Sequence, residues 1–158
     1  MCNRDISPVD SVPAACPTLA ALLIAMSLRI TIREDESPLV VEDANYLDEV
    51  LNTASEEART REKLNGVIIE SNKGNRLLLV VGTEITVLVF NYGGEDPPSY
   101  ASKGASNNDE PLMTCYITFQ HHTEFSRRHV IPFAEGVRAV HEFLDTDDLP
   151  RCINWEES

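Results

Sequence analysis

His122-Thr123-Glu124 sets a metal-ligand residue two places before a carboxylate. That is the His-x-Glu half of a zinc nucleic-acid deaminase, where zinc takes three protein ligands and leaves a fourth position to water. The other half of such a site is Pro-Cys-x-x-Cys. Here Pro150-Arg151-Cys152 runs on into Ile153-Asn154-Trp155, so the second cysteine is missing. Cys115, His121 and His122 would share a metal only if the strand and turn that carry them closed on each other. An exposed turn beside a strand-facing thiol is the expectation, with no metal and no cofactor. Glu124 and His122 remain available as the acid–base pair of a small enzyme, which would require a shared concave site. No nucleophile elbow, phosphate-binding loop or dinucleotide fingerprint is present. Asp147-Asp148 and Glu156-Glu157 read as solvated acid pairs, and Arg127-Arg128 as a basic pair balancing nearby acids.

The chain ends in Asn154-Trp155-Glu156-Glu157-Ser158, which holds its single tryptophan. An indole is costly to leave in water. Trp155 must therefore dock on its own fold or be offered to a partner, and both readings stand. Acids outnumber bases 26 to 13 over 158 residues, a formal charge of −13. Direct nucleic-acid binding needs the opposite balance, whereas a surplus of carboxylates favours association with cationic surfaces. The four cysteines form no Cys-x-x-Cys pair and no disulfide framework, which fits a reducing cytoplasm. The apolar run 18–25 is too short to span a bilayer and lacks a basic start. The expected start is Met26, with residues 1–25 an upstream extension or an added helix and a signal peptide as the alternative. Residues 26–158 are expected to form one domain.

The elements that must position these groups follow from periodicity. Residues 27–33 alternate apolar and polar as a strand does. Tyr46, Leu47, Val50, Leu51, Ala54 and Ala58 recur at helical spacing behind Asp43 or Asn45 as a cap. Strands are expected at 66–71, 76–81 and 84–92, joined by turns at 72–75 and 82–83. Residues 93–110 read as a long loop, 111–120 as a fifth strand, 121–125 as a turn and 128–131 as a short sixth strand. Pro132 opens a second helix with Phe133, Val137, Val140 and Leu144 on its buried face. The expected fold is α+β: an antiparallel sheet of five to six strands with two helices on one face.

The order Thr123-Glu124-Phe125, a short strand into Ile131-Pro132, a helix closing at Glu142-Phe143-Leu144, Leu149-Pro150 and then Asn154-Trp155-Glu156-Glu157 resembles the Imm1 family of bacterial immunity proteins. Val41-Glu42-Asp43 entering a helix, and Asn91-Tyr92 before Pro97-Pro98-Ser99-Tyr100, are similar too. The resemblance spans about Leu28 to Glu157. His121-His122 stand where the family pattern has an aromatic. The resemblance implies a non-enzymatic cytoplasmic antidote that binds a cognate toxin domain, often a nucleic-acid deaminase, and blocks its active site, with no membrane and no nucleic acid as partner. A toxin acting on nucleic acid carries a basic groove, which surplus carboxylates would seek. The expected partner-binding set is Glu95, Asp96, Asp109 and Glu110 in the loop, His122 and Glu124 in the turn, Glu156 and Glu157 in the tail, and Tyr100 and Trp155 as aromatic anchors. For Tyr100, interface and core are equally open. A generic adaptor module is the third reading.

Overall fold

Leu28 and Ile30 are buried while Arg29 between them is exposed, so β1 (Leu28–Thr31) presents one apolar side. β2 (Leu39–Val41) pairs with it at the sheet edge. The computed structural model describes residues 27–117 and 121–158; the expectations for residues 1–25 and for the end of the fifth strand lie outside those residues. Asp43 then caps α1 (Ala44–Thr60), its carboxylate accepting the Tyr46 N–H at 2.9 Å. The helical stripe buries Leu47, Val50, Leu51, Ala54 and Ala58 as expected, together with Ser55, whereas Tyr46, expected on the same stripe, is exposed in the first turn.

β3 (Asn65–Ser71), β4 (Arg76–Val81), β6 (Leu88–Asn91), β7 (Ser99–Ser102) and β11 (Trp155–Glu157) extend the sheet in the order β11-β7-β6-β4-β3-β1-β2, every neighbour antiparallel. β8 (Pro111–Tyr116) and β9 (His122–Ser126) form a hairpin joined to β3 by a single parallel bridge, Asn65 with Tyr116. β5 (Ile85–Thr86) pairs separately with β10 (Ile131–Pro132), which leads into α2 (Phe133–Thr146). The fold is α+β, with a larger sheet of nine strands among the described residues in place of five to six.

The added strands arise at particular departures from the expected elements. The stretch 84–92 breaks at Val87, whose carbonyl accepts the Val80 N–H at 3.2 Å while Thr86 Oγ1 donates to the Val80 carbonyl at 2.6 Å. The long loop contains β7, paired with β6 from Val89–Ala101 to Asn91–Ser99. The expected turn at 121–125 lies mostly in β9, because Thr123 and Phe125 point inward and His122 and Glu124 outward with period two. The short strand expected near 128–131 is instead a 3₁₀ turn, Arg127–His129, followed by β10.

Two apolar cores flank the sheet. Leu77, Leu79, Val81, Phe90, Val67 and Ile69 meet α1 and α2 on one face. On the opposite face, Val80 and Val87 meet Met113, Cys115 and Phe125 of the β8–β9 hairpin. That explains why β4 is apolar on both sides: helices cover one and a hairpin the other. α2 approaches the sheet through Gly136, where a Cβ would meet Thr86 Cγ2 at 2.6 Å and Leu88 Cδ1 at 3.0 Å. Gly136→Ala should therefore cost about 1–2 kcal/mol by overpacking, even though Ala is the better helix former. Urea unfolding of the two proteins side by side measures it.

Candidate functional site

The strand register defines two ends of the sheet. One end carries Leu28, Ser71, Arg76, Asn91, Ser99 and Glu157; the other carries Thr31, Asn65, Val81, Leu88, Ser102 and Trp155. The expected partner-binding residues fall into three groups on this frame.

The first group lies at the Asn91–Glu157 end and is organised by Asn75, a largely buried residue of the β3–β4 turn. Its amide donates to the Asp147 carbonyl at 2.9 Å and to Asp147 Oδ1 at 3.2 Å, and its Oδ1 accepts the Gly93 N–H at 3.0 Å. Tyr92 adds a 2.9 Å hydrogen bond from its hydroxyl to Asp148 Oδ1. Burial, followed by this bond to Asp148, pushes the Tyr92 phenol up from its ordinary pKa. These ties bring the loop after β6 against the C-terminus of α2. Glu95 and Asp96, both exposed, thus share one end with Asp145, Asp147, Asp148 and Glu157. Lys73 on the adjacent turn, Arg151 near Tyr92 and Arg76, itself paired with Glu70, stand against these six carboxylates. The last turn of α2 holds no basic residue. A helix C-terminus carries partial negative charge, so the chain concentrates acids where its own backbone disfavours them. Tyr100 sits just inside this end, half-buried, its ring edge-on to Tyr92 at 6.3 Å.

The second group is a charged clip. Arg128 NH1 meets Asp109 Oδ1 at 2.9 Å, and Arg128 NH2 donates to Glu156. Asp109 and Glu156, far apart in sequence, therefore converge on one guanidinium that ties the tail strand to the loop before β8. Glu110 is exposed beside them, its carbonyl accepting the Arg127 N–H at 2.9 Å.

The third group is the hairpin. His122 and Glu124 are exposed on its outer side, His122 beside the Tyr116 ring at 6.1 Å. Cys115 points the other way, into the core under the hairpin, so Cys115 and His122 lie on opposite faces. Burial raises the Cys115 thiol to about 11, which removes the thiolate needed for nucleophilic or metal-binding work. Among the described residues no cluster of three or more His, Cys, Asp or Glu is arranged to hold a metal ion, and no helix is long and apolar enough to cross a membrane.

Trp155 is docked. It is half-buried, its ring lies 6.3 Å from Phe90, and its Nε1–H donates to the Pro150 carbonyl at 2.6 Å. The turn before it is held by Glu142, whose two carboxylate oxygens accept the Arg151 N–H at 2.8 Å and the Cys152 N–H at 3.0 Å. The Arg151 backbone bond, ahead of the others, lowers the Glu142 pKa. A lowered folded-state pKa contributes stability above the unfolded carboxylate value of about 4.3, lost as pH falls through the folded value. Acidification below about pH 4 should therefore loosen the tail and red-shift Trp155 emission. Glu142→Ala should do so at neutral pH, at a cost of about 1 kcal/mol. Fluorescence titration of both proteins distinguishes tail release from global unfolding, because far-UV circular dichroism stays unchanged in the first case.

Sequence reasoning missed Asn75 and Glu142; it read Arg127-Arg128 as balancing nearby acids, which Arg128 does, but did not name Asp109 and Glu156 as its partners. Only the turn composition around Asn75 hinted at a role, and that hint was conformational. No curated protein matches the chain. A family model described as immunity protein Imm1 matches residues 35–157, from the loop after β1 to the end of the tail strand. With that match covering both helices, the hairpin and the docked tryptophan, the chain belongs to the Imm1 family of immunity proteins.

Proposed function

We propose that this chain is the antidote to a toxin that acts on nucleic acid, a deaminase, and that it inhibits by plugging the toxin's basic substrate cleft. The observation that carries this is the acidic end: Glu95, Asp96, Asp145, Asp147, Asp148 and Glu157 gathered around the Asn75 hub. A cleft shaped for phosphates presents Lys and Arg, and a pole of carboxylates both steers toward it and replaces the phosphates within it. The chain contributes shape and charge rather than chemistry. Its place of action is the cytoplasm of the toxin producer, before the toxin leaves the cell.

The experiment is co-expression with the toxin domain encoded beside this chain. Cells making both should grow, cells making the toxin alone should arrest, and the two proteins should co-purify one to one, burying about 1,600 Å² in total. Growth arrest despite a full level of this chain overturns the reading.

A further inference from the structure

β9 leaves a free backbone edge over an apolar floor. It pairs with β8 alone among the described strands. The Tyr116 N–H donates away from the hairpin, to the Leu64 carbonyl at 3.0 Å, while the Ile117 N–H donates to the His121 carbonyl at 3.2 Å. Antiparallel pairs alternate between bonded and non-bonded. Tyr116–His122 and Thr114–Glu124 are therefore non-bonded pairs, and the N–H and C=O groups of His122 and Glu124 point out from the hairpin edge. Beside that edge is a cleft of about 470 Å³, bordered by Thr123, Glu124, Phe125 and Ser126 and floored by Leu78, Val89 and Ala101. Side chains alternate along a strand, so four consecutive residues can border one space only where the strand edge itself does.

The cleft also has one carboxylate on its border, Glu124; Glu156, whose Oε1 Arg128 already holds, lies beside it, opposite Ala101 in the tail strand. Glu156 Oε2 is buried and accepts no hydrogen bond from the protein; His129 Nδ1 is 3.9 Å away and is itself 3.0 Å from the Ser102 carbonyl. Ser158 borders the cleft one residue beyond Glu157, so the cleft is continuous with the acidic end.

We infer that this cleft takes an extended segment of the toxin, alternating apolar and basic residues, which adds to β9 as a strand. Its backbone meets the free groups of His122 and Glu124, its apolar side chains lie on Leu78 and Val89, and its cations, on the outer side, reach Glu124. Strand addition of this kind takes affinity from main-chain bonds and specificity from alternate side chains. This inference rests on the antidote reading and names the second surface that the antidote uses.

Amide hydrogen exchange on the free chain and on its complex with the toxin domain encoded beside it tests the inference. The expected result is that the amides of His122 and Glu124 exchange at least tenfold more slowly in the complex. Val89→Lys, which places a cation and extra bulk on the floor, should raise the dissociation constant tenfold or more while Trp155 emission stays unchanged. A stable complex in which those two amides exchange as in the free chain overturns the strand addition and leaves the antidote reading intact. Failure to form a complex removes both. Protection that appears in the free chain as its concentration rises assigns the edge to a second copy of this chain and overturns the toxin segment as occupant.

Discussion

Exchanging four carboxylates at the acidic end together, as Glu95→Gln, Asp96→Asn, Asp145→Asn and Glu157→Gln, is expected to slow association with the toxin domain by about 10–100-fold at low salt. All four are exposed, and each replacement keeps the shape of the side chain. The native rate should fall steeply as ionic strength rises, because screening at 0.1 M salt acts over about 10 Å. The variant's rate should fall less steeply with salt, Asp147 and Asp148 being retained. Folding stability should move the other way. Asp145 lies in the last turn of α2, where the helix dipole opposes a negative charge. Asp96 holds a left-handed backbone with φ of 52°, which Asn accepts at least as readily. The variant should therefore unfold at the same or a slightly higher urea concentration than the native protein. Opposite signs for association and stability are what a surface kept for a partner predicts. Stopped-flow association rates across a salt series decide it. Equal rates for both proteins at every ionic strength would remove the electrostatic part of the mechanism.

The parts of the fold that were legible in the sequence are those whose pattern is local. α1 follows from one cap and a stripe at helical spacing. β1, β3 and β4 follow from alternating or continuous apolar runs bounded by turns. The illegible parts depend on remote partners. Ser99–Ser102 contains no β-branched residue, and it becomes a strand because β6 on one side and the tail on the other supply its hydrogen bonds. The tail is too short and polar to read as a strand, yet Trp155 and Glu157 face the helices while Glu156 faces the hairpin side, with the period of two that pairing imposes. The site divides in the same way. Its acids are visible one by one, but the loop carrying Glu95 and the helix end carrying Asp145 are tied together through Asn75, and Asp109 and Glu156 through Arg128. The docking of Trp155 narrows the two readings of that residue: its indole holds the tail, and the carboxylates that follow it are what the tail presents.

Phe90→Ala should be the most damaging single core change, costing about 3–5 kcal/mol. Phe90 is fully buried under α2, and three aromatic rings meet it edge-on: Tyr92 at 4.9 Å, Phe143 at 5.8 Å and Trp155 at 6.3 Å. Its removal leaves a cavity against a helix that Gly136 already holds close to the sheet, so little collapse is available to fill it. The loss reaches the functional surface through the same rings. Tyr92 loses the contact that steadies its bond to Asp148, and Trp155 loses the ring on which the tail strand rests. Urea unfolding should shift to a lower midpoint with the slope unchanged, and the single tryptophan should emit further to the red before unfolding begins. Phe90→Leu, which keeps most of the volume, should cost less than about 1.5 kcal/mol and leave the emission close to native. If Phe90→Ala lowers stability as expected but leaves both Trp155 emission and the dissociation rate of the toxin complex unchanged, the aromatic cluster is a core and nothing more. If all three move together, the rings under the sheet are what hold the acidic end in register for its partner.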